Sequence, residues 1–284
     1  MTSTEGMLLV DKPAGLTSQD VVSVVRRAIG ASRAGHTGTL DPFATGLMVV
    51  LAGSATRLAR FTPSEPKTYE AVIRFGVATE TDDRTGAPTE SAPLPHESSV
   101  RVAISRLTGE VSQVPPDYSA KQVGGRRAYA LARRGEPARL EPVTVHVHEW
   151  EIREHSVDTW RVRITCGTGT YIRALARDLG RLAGSAAHLL ELRRLSIGPF
   201  DVRDALPLDA INADTRPRAM VDALVGIPRE RLDEASVEHV RHGRAVTATV
   251  EGARAALLDP DGTLVAIADR LKDQWWPRVV LVAS

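Results

Sequence analysis

The stretch GHTGTLDPFATGLMVV, residues 35–50, decides how this chain is interpreted. Its first half is dense in turn-forming residues, and its second half opens an apolar run that continues to Ala52 and predicts a buried strand. Asp41 lies between the two halves and is followed by Pro42, which restricts the backbone and has no amide donor. A carboxylate in this position is either a catalytic group or a structural turn residue. The segment alone leaves both interpretations open.

The composition is that of an ordinary globular protein. Of the 284 residues, 43% are hydrophobic and 25% are charged, which excludes disorder throughout the chain. The longest apolar stretch, residues 47–52, is far shorter than the roughly 18 residues that a membrane helix needs, and residues 1–15 do not have the pattern of a secretory signal. Cys166 is the only cysteine, so an internal disulfide is excluded. We therefore expect a cytoplasmic protein without membrane segments.

Hydrophobic periodicity predicts a body in which helices and strands are interleaved. Thr17 and Asp20 have the spacing of a capping box at the start of the first predicted helix, and Gly30 can end it. The predicted helices cover residues 17–30, 100–109, 126–135 and 170–184, and the predicted strands cover residues 7–10, 67–76, 143–152 and 158–166. This pattern is typical of an α+β or mixed-sheet fold.

The sequence changes character beyond residue 226. Short apolar segments replace the helical patterns, and the sequence DPDG at residues 259–262 is typical of a hairpin turn. The predicted short strands cover residues 245–250, 255–258, 263–268 and 278–283. We therefore expect two domains, a body over residues 1–226 and a small all-β module over residues 227–284.

The formal net charge of +1 conceals an uneven distribution. Residues 121–139 hold six basic side chains and one acidic side chain, and residues 161–194 hold seven basic and two acidic ones. Acidic segments offset them, since residues 65–98 hold three basic and seven acidic side chains, and residues 200–284 hold eleven and fourteen. The basic segments either follow a nucleic-acid backbone or are solvated helix faces, because phosphate binding depends on the local density of Lys and Arg.

Several common chemistries are missing from the sequence. It contains no Walker-type phosphate loop, no complete dinucleotide fingerprint and no G-x-S-x-G nucleophile elbow. His146 and His148 share one face of a predicted strand, but no third metal ligand is evident near them. Cys166 is expected to be a small buried thiol. We therefore expect chemistry by a carboxylate, without a metal or another cofactor.

Taken as a unit, residues 35–50 resemble the catalytic motif of the TruB family of tRNA pseudouridine synthases. The resemblance extends over most of the chain in the family's motif order. The other matching segments are LLVDKPAGLTSQDVV (residues 8–22), KTYEAVIRFGVATETDDRTG (67–86), VPPDYSAKQVGGRRAYALARRG (114–135), GTGTYIRALARDLG (167–180) and AHLLELRRLSIG (187–198). It implies the pseudouridine-synthase fold, with a central mixed and mostly antiparallel sheet flanked by helices and a C-terminal PUA-like β-barrel. Since residues 200–284 are acidic, the RNA contacts of that barrel stay open.

The resemblance also implies site residues. Asp41 falls on the catalytic aspartate and Arg173 on the arginine that pairs with it, which would keep the carboxylate ionised. Tyr69 falls on the tyrosine that stacks on the target base and takes part in catalysis, and Tyr171 and Leu192 fall on positions that line the uracil pocket. His36 falls on a residue that contacts the T loop; all these positions are read from the matching motifs.

The implied reaction is the isomerisation of uridine 55 in the T loop of tRNA to pseudouridine. An insertion over about residues 115–140 would follow the T stem. Its candidate RNA-binding residues are Lys121, Arg126, Arg127, Arg133 and Arg134. We expect a monomer that needs no protein partner. The alternatives are a guide-RNA-dependent relative of the dyskerin branch and a non-catalytic tRNA-binding or tRNA-folding factor on the same scaffold.

Overall fold

A computed structural model describes residues 4–118 and 140–281, and the backbone of residues 122–123 and 126–127. The helices of the described residues are α1 (Ser18–Ala28), α2 (Glu97–Arg106), α3 (Ile172–Leu182) and α4 (Glu234–Arg241). Short 3₁₀ turns cover Gly53–Leu58, Val202–Asp204, Leu208–Ala210 and Met220–Ala223. None of the helices found in this part of the chain is long and apolar enough to span a membrane.

The strands of the described residues are β1 (Gly6–Lys12), β2 (Ala34–His36), β3 (Thr45–Ala52), β4 (Lys67–Phe75), β5 (Val77–Thr79), β6 (Pro88–Ser91), β7 (Gly109–Gln113), β8 (Gln122–Val123), β9 (Arg126–Arg127), β10 (Val143–His155), β11 (Thr159–Cys166), β12 (Ala187–Ile197), β13 (Phe200–Asp201), β14 (Leu206–Pro207), β15 (Arg229–Arg231), β16 (Val246–Thr247), β17 (Arg254–Leu258), β18 (Leu264–Leu271) and β19 (Gln274–Val280). Contacts between residues group the chain into two compact units. The first unit comprises Met1–Asp41, Met48–Pro63 and Arg203–Ser284, and the second comprises Pro42–Leu47 and Ser64–Val202.

The second unit is built on an antiparallel run of strands in the order β12-β4-β11-β10-β7. The start of β3 joins this run in parallel with β12, and β13 pairs with β12 in the antiparallel sense. In β4, alternate residues from Tyr69 to Phe75 are buried, as the alternating sequence predicts for a strand with one face in the core. The expected mixed and mostly antiparallel sheet is therefore confirmed.

The structure explains why residue 46 of the opening motif is a glycine. Its backbone has a φ of +105°, and a Cβ built there would lie 2.2 Å from the carbonyl oxygen of Arg194. A side chain at this position would collide with the backbone of the neighbouring strand β12, with which β3 pairs at this point. Only glycine therefore lets β3 begin so close to β12.

In the first unit, helix α1 begins with the predicted capping box. The Thr17 hydroxyl accepts a hydrogen bond from the Asp20 amide at 3.1 Å, and the Asp20 carboxylate accepts one from the Thr17 amide at 2.9 Å. Two amide donors that the helix leaves open are satisfied in this way. Strands β14, β1 and β3 follow one another in this unit, with β1 parallel to β14 and β2 antiparallel to β3.

The C-terminal part of the first unit is a five-stranded sheet in the order β15-β17-β18-β19-β16. Helix α4 and the inner face of this sheet enclose a small core around Val240, Leu257 and Trp275. Strands β16 to β19 overlap the four predicted strands, and β15 and α4 are additional elements that the sequence analysis missed. The last strand begins at Gln274 and not at residue 278 as predicted, and residues 282–283 of that prediction lie outside the described residues. The expected small β module at the C-terminus is confirmed.

Two of the predicted helices need correction. The helix predicted over residues 100–109 begins one turn earlier, at Glu97, and it ends before Gly109, whose φ of +86° starts strand β7. The helix predicted over residues 126–135 is wrong at Arg126–Arg127, which pairs as β9 with β8. Two glycines precede this pair in the sequence, and glycine is unfavourable in a helix. Residues 128–135 lie outside the described residues.

Candidate active site

Tyr69 and Leu192 lie on the same face of the second unit's sheet. Tyr69 is paired with Ile164 of β11 and Arg194 of β12, and Leu192 is paired with Ala71, two residues beyond Tyr69. Residues in register, and residues two apart on one strand, point to the same side of a sheet, so the two side chains are diagonal neighbours. Both residues are 6% exposed. The sheet thus places an aromatic ring and an aliphatic side chain side by side.

Tyr171 is fixed by its backbone at the start of helix α3. Its amide donates to Oε1 of Gln113 at 2.8 Å, and Nε2 of Gln113 donates to the carbonyl oxygen of Tyr171 at 3.1 Å. Gln113 is completely buried at the end of β7. Gln113 therefore fixes the N-cap residue by its backbone, while Tyr171 itself supplies no side-chain cap. The sequence analysis missed Gln113.

Arg173 is 4% exposed, and backbone carbonyls and a carboxylate hold it in the second unit. Nη1 donates to the carbonyl oxygen of Thr81 at 3.0 Å, and Nη2 donates to that of Tyr118 at 2.9 Å. Nε lies 3.7 Å from Oδ2 of Asp83. A guanidinium with this many partners has a fixed orientation, as a positioned catalytic group needs. Its expected pairing with Asp41 stays a prediction.

Asp83 is the buried acid that orients Arg173, and the sequence analysis did not identify it. Oδ1 of Asp83 accepts hydrogen bonds from the Thr81 hydroxyl at 2.7 Å and from the amide and hydroxyl of Thr85 at 2.9 and 2.5 Å. The carboxylate therefore stays on one side of a tight turn, with Oδ2 left to face Arg173. The sequence TETDDRTG, with threonines two residues before and after Asp83, is the signal that could have found it.

A second arginine follows one helical turn after Arg173. Nη1 of Arg177 donates to Oδ2 of Asp82 at 3.1 Å, Nε donates to Oδ1 of Asp178 at 2.9 Å, and Nη2 donates to the carbonyl oxygen of Val114 at 2.8 Å. Helix α3 therefore uses Arg173 and Arg177 to hold two adjacent aspartates. Together they also fix the segment that enters the insertion, through the carbonyls of Val114 and Tyr118.

Lys67, at the start of β4, and Cys166, at the end of β11, are cross-strand neighbours. Burial lowers the pKa of the Lys67 ammonium, which donates to the Thr168 hydroxyl at 3.3 Å. Burial raises the pKa of the Cys166 thiol to about 11, against smaller lowering effects from Thr170 and Lys67. Cys166 is therefore a protonated and completely buried thiol, which confirms the expectation that it is structural.

His36 and Asp41 belong to the first unit. His36 is half-buried on β2 and is paired with Val50 of β3. Leu40 precedes Asp41, and the Ser18 hydroxyl binds both its amide and its carbonyl oxygen. The amide of Leu40 donates to Oγ of Ser18 at 2.8 Å, and that hydroxyl donates to the carbonyl oxygen of Leu40 at 3.0 Å. Ser18, which the sequence analysis missed, therefore fixes the segment before Asp41 against the start of α1.

The predicted RNA-binding side chains cannot be placed. Lys121, Arg133 and Arg134 lie outside the described residues, and for Arg126 and Arg127 the structure describes only the backbone of β9. Their contact with RNA stays a prediction.

Comparison with known proteins identifies the family. The pattern of the TruB family pseudouridylate synthase N-terminal domain matches residues 26–172. Residues 173–225 match the tRNA pseudouridylate synthase B C-terminal domain, and residues 227–282 match the domain described as tRNA pseudouridine synthase II, C terminal. These three matches follow one another along the chain.

Two relatives are similar over nearly their whole length. The tRNA pseudouridine synthase B of Thermobifida fusca (strain YX) is 42% identical over 291 residues, which cover 99% of each chain. The enzyme of the same name from Aromatoleum aromaticum is 41% identical and covers 93% of this chain and 88% of its own.

Solved structures show the same fold. A chain from an H/ACA RNP bound to a substrate RNA containing 2′-deoxyuridine aligns with a TM-score of 0.70 at 22% identity, covering 98% of this chain and 85% of its own. A chain from a Cbf5-Nop10-Gar1 complex aligns with a TM-score of 0.69 at 24% identity, covering 98% and 84%. At this identity the likeness concerns the fold alone, and it confirms the expected pseudouridine-synthase fold. The family patterns and the relatives above show that the chain belongs to the TruB family of pseudouridylate synthases.

Proposed function

We propose that this protein isomerises uridine 55 in the T loop of tRNA to pseudouridine. The reaction breaks the N1–C1′ bond and forms a C5–C1′ bond, while one proton leaves C5 and one is gained at N1. Atoms and electrons balance within the nucleotide, so the reaction consumes no oxidant, reductant or cofactor. The curated relatives support this reaction through their shared name, tRNA pseudouridine synthase B, and we propose that it takes place in the cytoplasm.

The observation that carries the proposal is the construction of the second unit around Tyr69, Leu192, Tyr171 and Arg173. The first two residues share a buried sheet face, and the other two stand at the fixed start of α3. A flipped uracil loses the stacking of its neighbours, at a cost of a few kcal/mol, and a flat aromatic face such as that of Tyr69 would replace it. Tyr171 and Leu192 would line the rest of the base pocket.

In this mechanism the ionised Asp41 acts at the ribose or the base. The carboxylate either attacks the nucleotide or abstracts a proton to give a glycal intermediate, and both routes need it charged. Arg173 would stabilise that charge by pairing with Asp41. The network of Arg173 in its own unit supports the proposal, because it fixes the guanidinium before substrate binds. His36 would hold the T loop while the base is turned out.

The test is release of tritium from tRNA transcripts labelled at C5 of uridine. We expect release by the wild-type protein, and background release by Asp41→Asn and from a transcript with cytidine at position 55. Equal release above background by wild type and Asp41→Asn would overturn the role of Asp41, and background release by both would overturn the enzymatic proposal. Background release by both, with tight tRNA binding, would instead indicate a tRNA-binding or tRNA-folding factor.

We further propose that the insertion follows the T stem and that residues 227–284 form the separate C-terminal domain. Substitution of Arg126, Arg127, Arg133 and Arg134 by Gln should weaken tRNA binding. It should also flatten the dependence of log Kd on log salt concentration by about 1 for each phosphate that the variant no longer neutralises. An unchanged slope would show that this segment does not contact the RNA backbone.

A further inference from the structure

The segment from Gln113 to Tyr118 leads from strand β7 into the insertion, and we call it the insertion root. Gln113 is completely buried and is paired with Val143 of β10, so the root begins inside the sheet of the second unit. Pro115 and Pro116 are buried as well. Because proline fixes its own φ and restricts the residue before it, the insertion root is a stiff segment.

Three contacts hold the insertion root against the start of helix α3. The side chain of Gln113 binds both backbone polar groups of Tyr171, at 2.8 and 3.1 Å. Two arginines of α3 donate to the carbonyl oxygens of Val114 and Tyr118, at 2.8 and 2.9 Å. Among these three contacts, the one from Gln113 is made by a side chain of the root, so a substitution in the root can remove it.

The contact with Tyr171 uses both halves of the Gln113 amide. Oε1 accepts from the Tyr171 amide while Nε2 donates to the Tyr171 carbonyl, so the side chain makes the two-point pairing that one strand makes with another. The same carbonyl accepts a hydrogen bond from the amide of Leu175 in the first turn of α3. The backbone of Tyr171 is therefore tied to the insertion root and to the helix at once. A carboxylate offers only acceptors and a thioether only a weak acceptor, so glutamine suits this position.

We infer that Gln113 is a positioning residue for the proposed reaction, which holds Tyr171 in the place that the base pocket requires. The inference rests on the proposed function, because that function assigns Tyr171 to the pocket. Gln113 acts through the backbone of Tyr171 and does not touch the substrate. A displacement of about 1 Å in a group that orients a reacting base lowers the rate by about a hundredfold. A buried side chain that fixes Tyr171 at two points therefore contributes to the rate.

Single-turnover kinetics with the full-length protein and tRNA labelled with tritium at C5 of uridine test the inference. Gln113→Met keeps the length of the side chain and loses both hydrogen bonds, and Gln113→Glu loses the donor to the Tyr171 carbonyl. We expect the rate constant at saturating tRNA to fall by about tenfold or more in each variant, while the tRNA Kd stays within about twofold of the wild-type value. A loss of folded protein alone would lower the concentration of active protein and not this rate constant. Wild-type rate constants in both variants would overturn the inference.

Trp150→Phe is the matched control. Nε1 of Trp150, on β10, donates to the carbonyl oxygen of Leu107 at 3.1 Å, so this variant also loses a hydrogen bond from a side chain to the backbone of the second unit. Trp150 lies outside the insertion root and α3. We expect its unfolding midpoint in urea to fall, as those of the Gln113 variants do, while its rate constant stays within about twofold of the wild-type value. Equal losses of rate in Gln113→Met and the control would indicate a general effect on the fold and would overturn the inference.

A measurement without substrate follows Tyr171 directly. The chain has four tyrosines, so fluorotyrosine labelling gives a simple fluorine NMR spectrum, in which Tyr171→Phe identifies the signal of Tyr171. Gln113→Met should shift or broaden this signal, and Trp150→Phe should leave it in place. An unchanged Tyr171 signal in Gln113→Met would overturn the inference.

These outcomes separate the inference from the proposed function. A wild type that releases tritium, with Gln113 variants that release it equally fast, overturns the inference alone. A wild type that releases no tritium, with a Tyr171 signal that moves in Gln113→Met, overturns the proposed function and leaves Gln113 as the residue that fixes Tyr171.

Discussion

Asp82 and Glu230 are both buried carboxylates, one in each unit, and their pKa values are shifted in opposite directions. Burial raises the pKa of Asp82 to about 6, although Arg177, Arg173 and Arg181 oppose the shift. Burial also acts to raise the pKa of Glu230, but hydrogen bonds from Thr249, Val250 and Trp275 outweigh it and lower the value.

The opposite pKa shifts follow from the number of hydrogen-bond donors that serve each carboxylate alone. Oε2 of Glu230 accepts from the amides of Thr249 and Val250 and from Nε1 of Trp275, all at 2.9 Å, and Oε1 accepts from the Thr249 hydroxyl. Asp82 has one hydrogen bond from Arg177, which also serves Asp178 and the carbonyl of Val114. Four dedicated neutral donors therefore stabilise a buried charge better than one shared cation does.

The largest expected effect comes from removing the carboxylate with the most donors. Glu230→Ala leaves the three donors of Oε2 and the Thr249 hydroxyl without their acceptor and creates a cavity, so it should cost about 4 kcal/mol of unfolding free energy. Urea unfolding followed by tryptophan fluorescence measures it. Glu230→Gln is the control, because its amide oxygen can still face the three donors, and it should cost about 1 kcal/mol. Equal losses would mean that the cost of Glu230→Ala does not come from leaving these donors without an acceptor.

Arg177→Gln tests the shared cation. It leaves Asp82 and Asp178 without their common partner and the carbonyl of Val114 without a donor, so it should cost about 3 kcal/mol in the same assay. It should also raise the pKa of Asp82 above that of the wild type, as a carboxyl NMR titration would measure. Arg181→Gln, one turn further along α3, is the control; its side chain is 70% exposed and it should cost less than about 0.5 kcal/mol. Similar losses in the two variants would contradict the assignment of Arg177 as a buried partner.

The pH dependence of Asp82 has a definite sign. Because its pKa is higher in the folded protein, at about 6, than the usual 3.8, folding takes up protons between these values. Its contribution to stability is therefore complete below about pH 4 and is lost as the pH rises through 6. The stability of the wild type relative to Asp82→Asn should fall by about 2 kcal/mol from pH 4 to pH 7. A constant difference over this range would show that Asp82 titrates normally.

The sequence predicts best where the partners are close in the chain. The capping box of Thr17 and Asp20 and the alternating burial of Tyr69 and its neighbours in β4 follow from local spacing. Gln113 and Ser18 could not be identified in this way, because their partners Tyr171 and Leu40 are 58 and 22 residues away. Only the folded chain brings such pairs together, and a polar residue at the end of a strand has no local signal for a distant partner.

A count of charges along the chain does not show how they are distributed over the faces of a sheet, for a related reason. The acidic total of residues 200–284 left the RNA contacts of the C-terminal module open, but the fold places its arginines unevenly. Asp269 directs two of them to one face, and Arg60, from a distant segment, is added through Phe61. A sum along the chain averages over both faces of a sheet, whereas binding depends on one face. The roles of Asp41 and Arg173, by contrast, are predicted from motifs that the resemblance supplied and not from charge.

The smallest expected effect is the pH dependence of the Glu230 contribution to stability, which should be zero near neutral pH. It is the sharpest test of the comparison between Asp82 and Glu230. The pKa of Glu230 is lower in the folded protein than its usual value of 4.5, so its contribution is present above that pH and is lost as the pH falls through the folded pKa. Between pH 5 and pH 8 the group is ionised in both the folded and unfolded protein. The stability difference between the wild type and Glu230→Gln should therefore stay constant there, while the difference for Asp82→Asn changes. If both differences change with pH in the same direction, the number of dedicated donors does not decide which buried carboxylate stays charged.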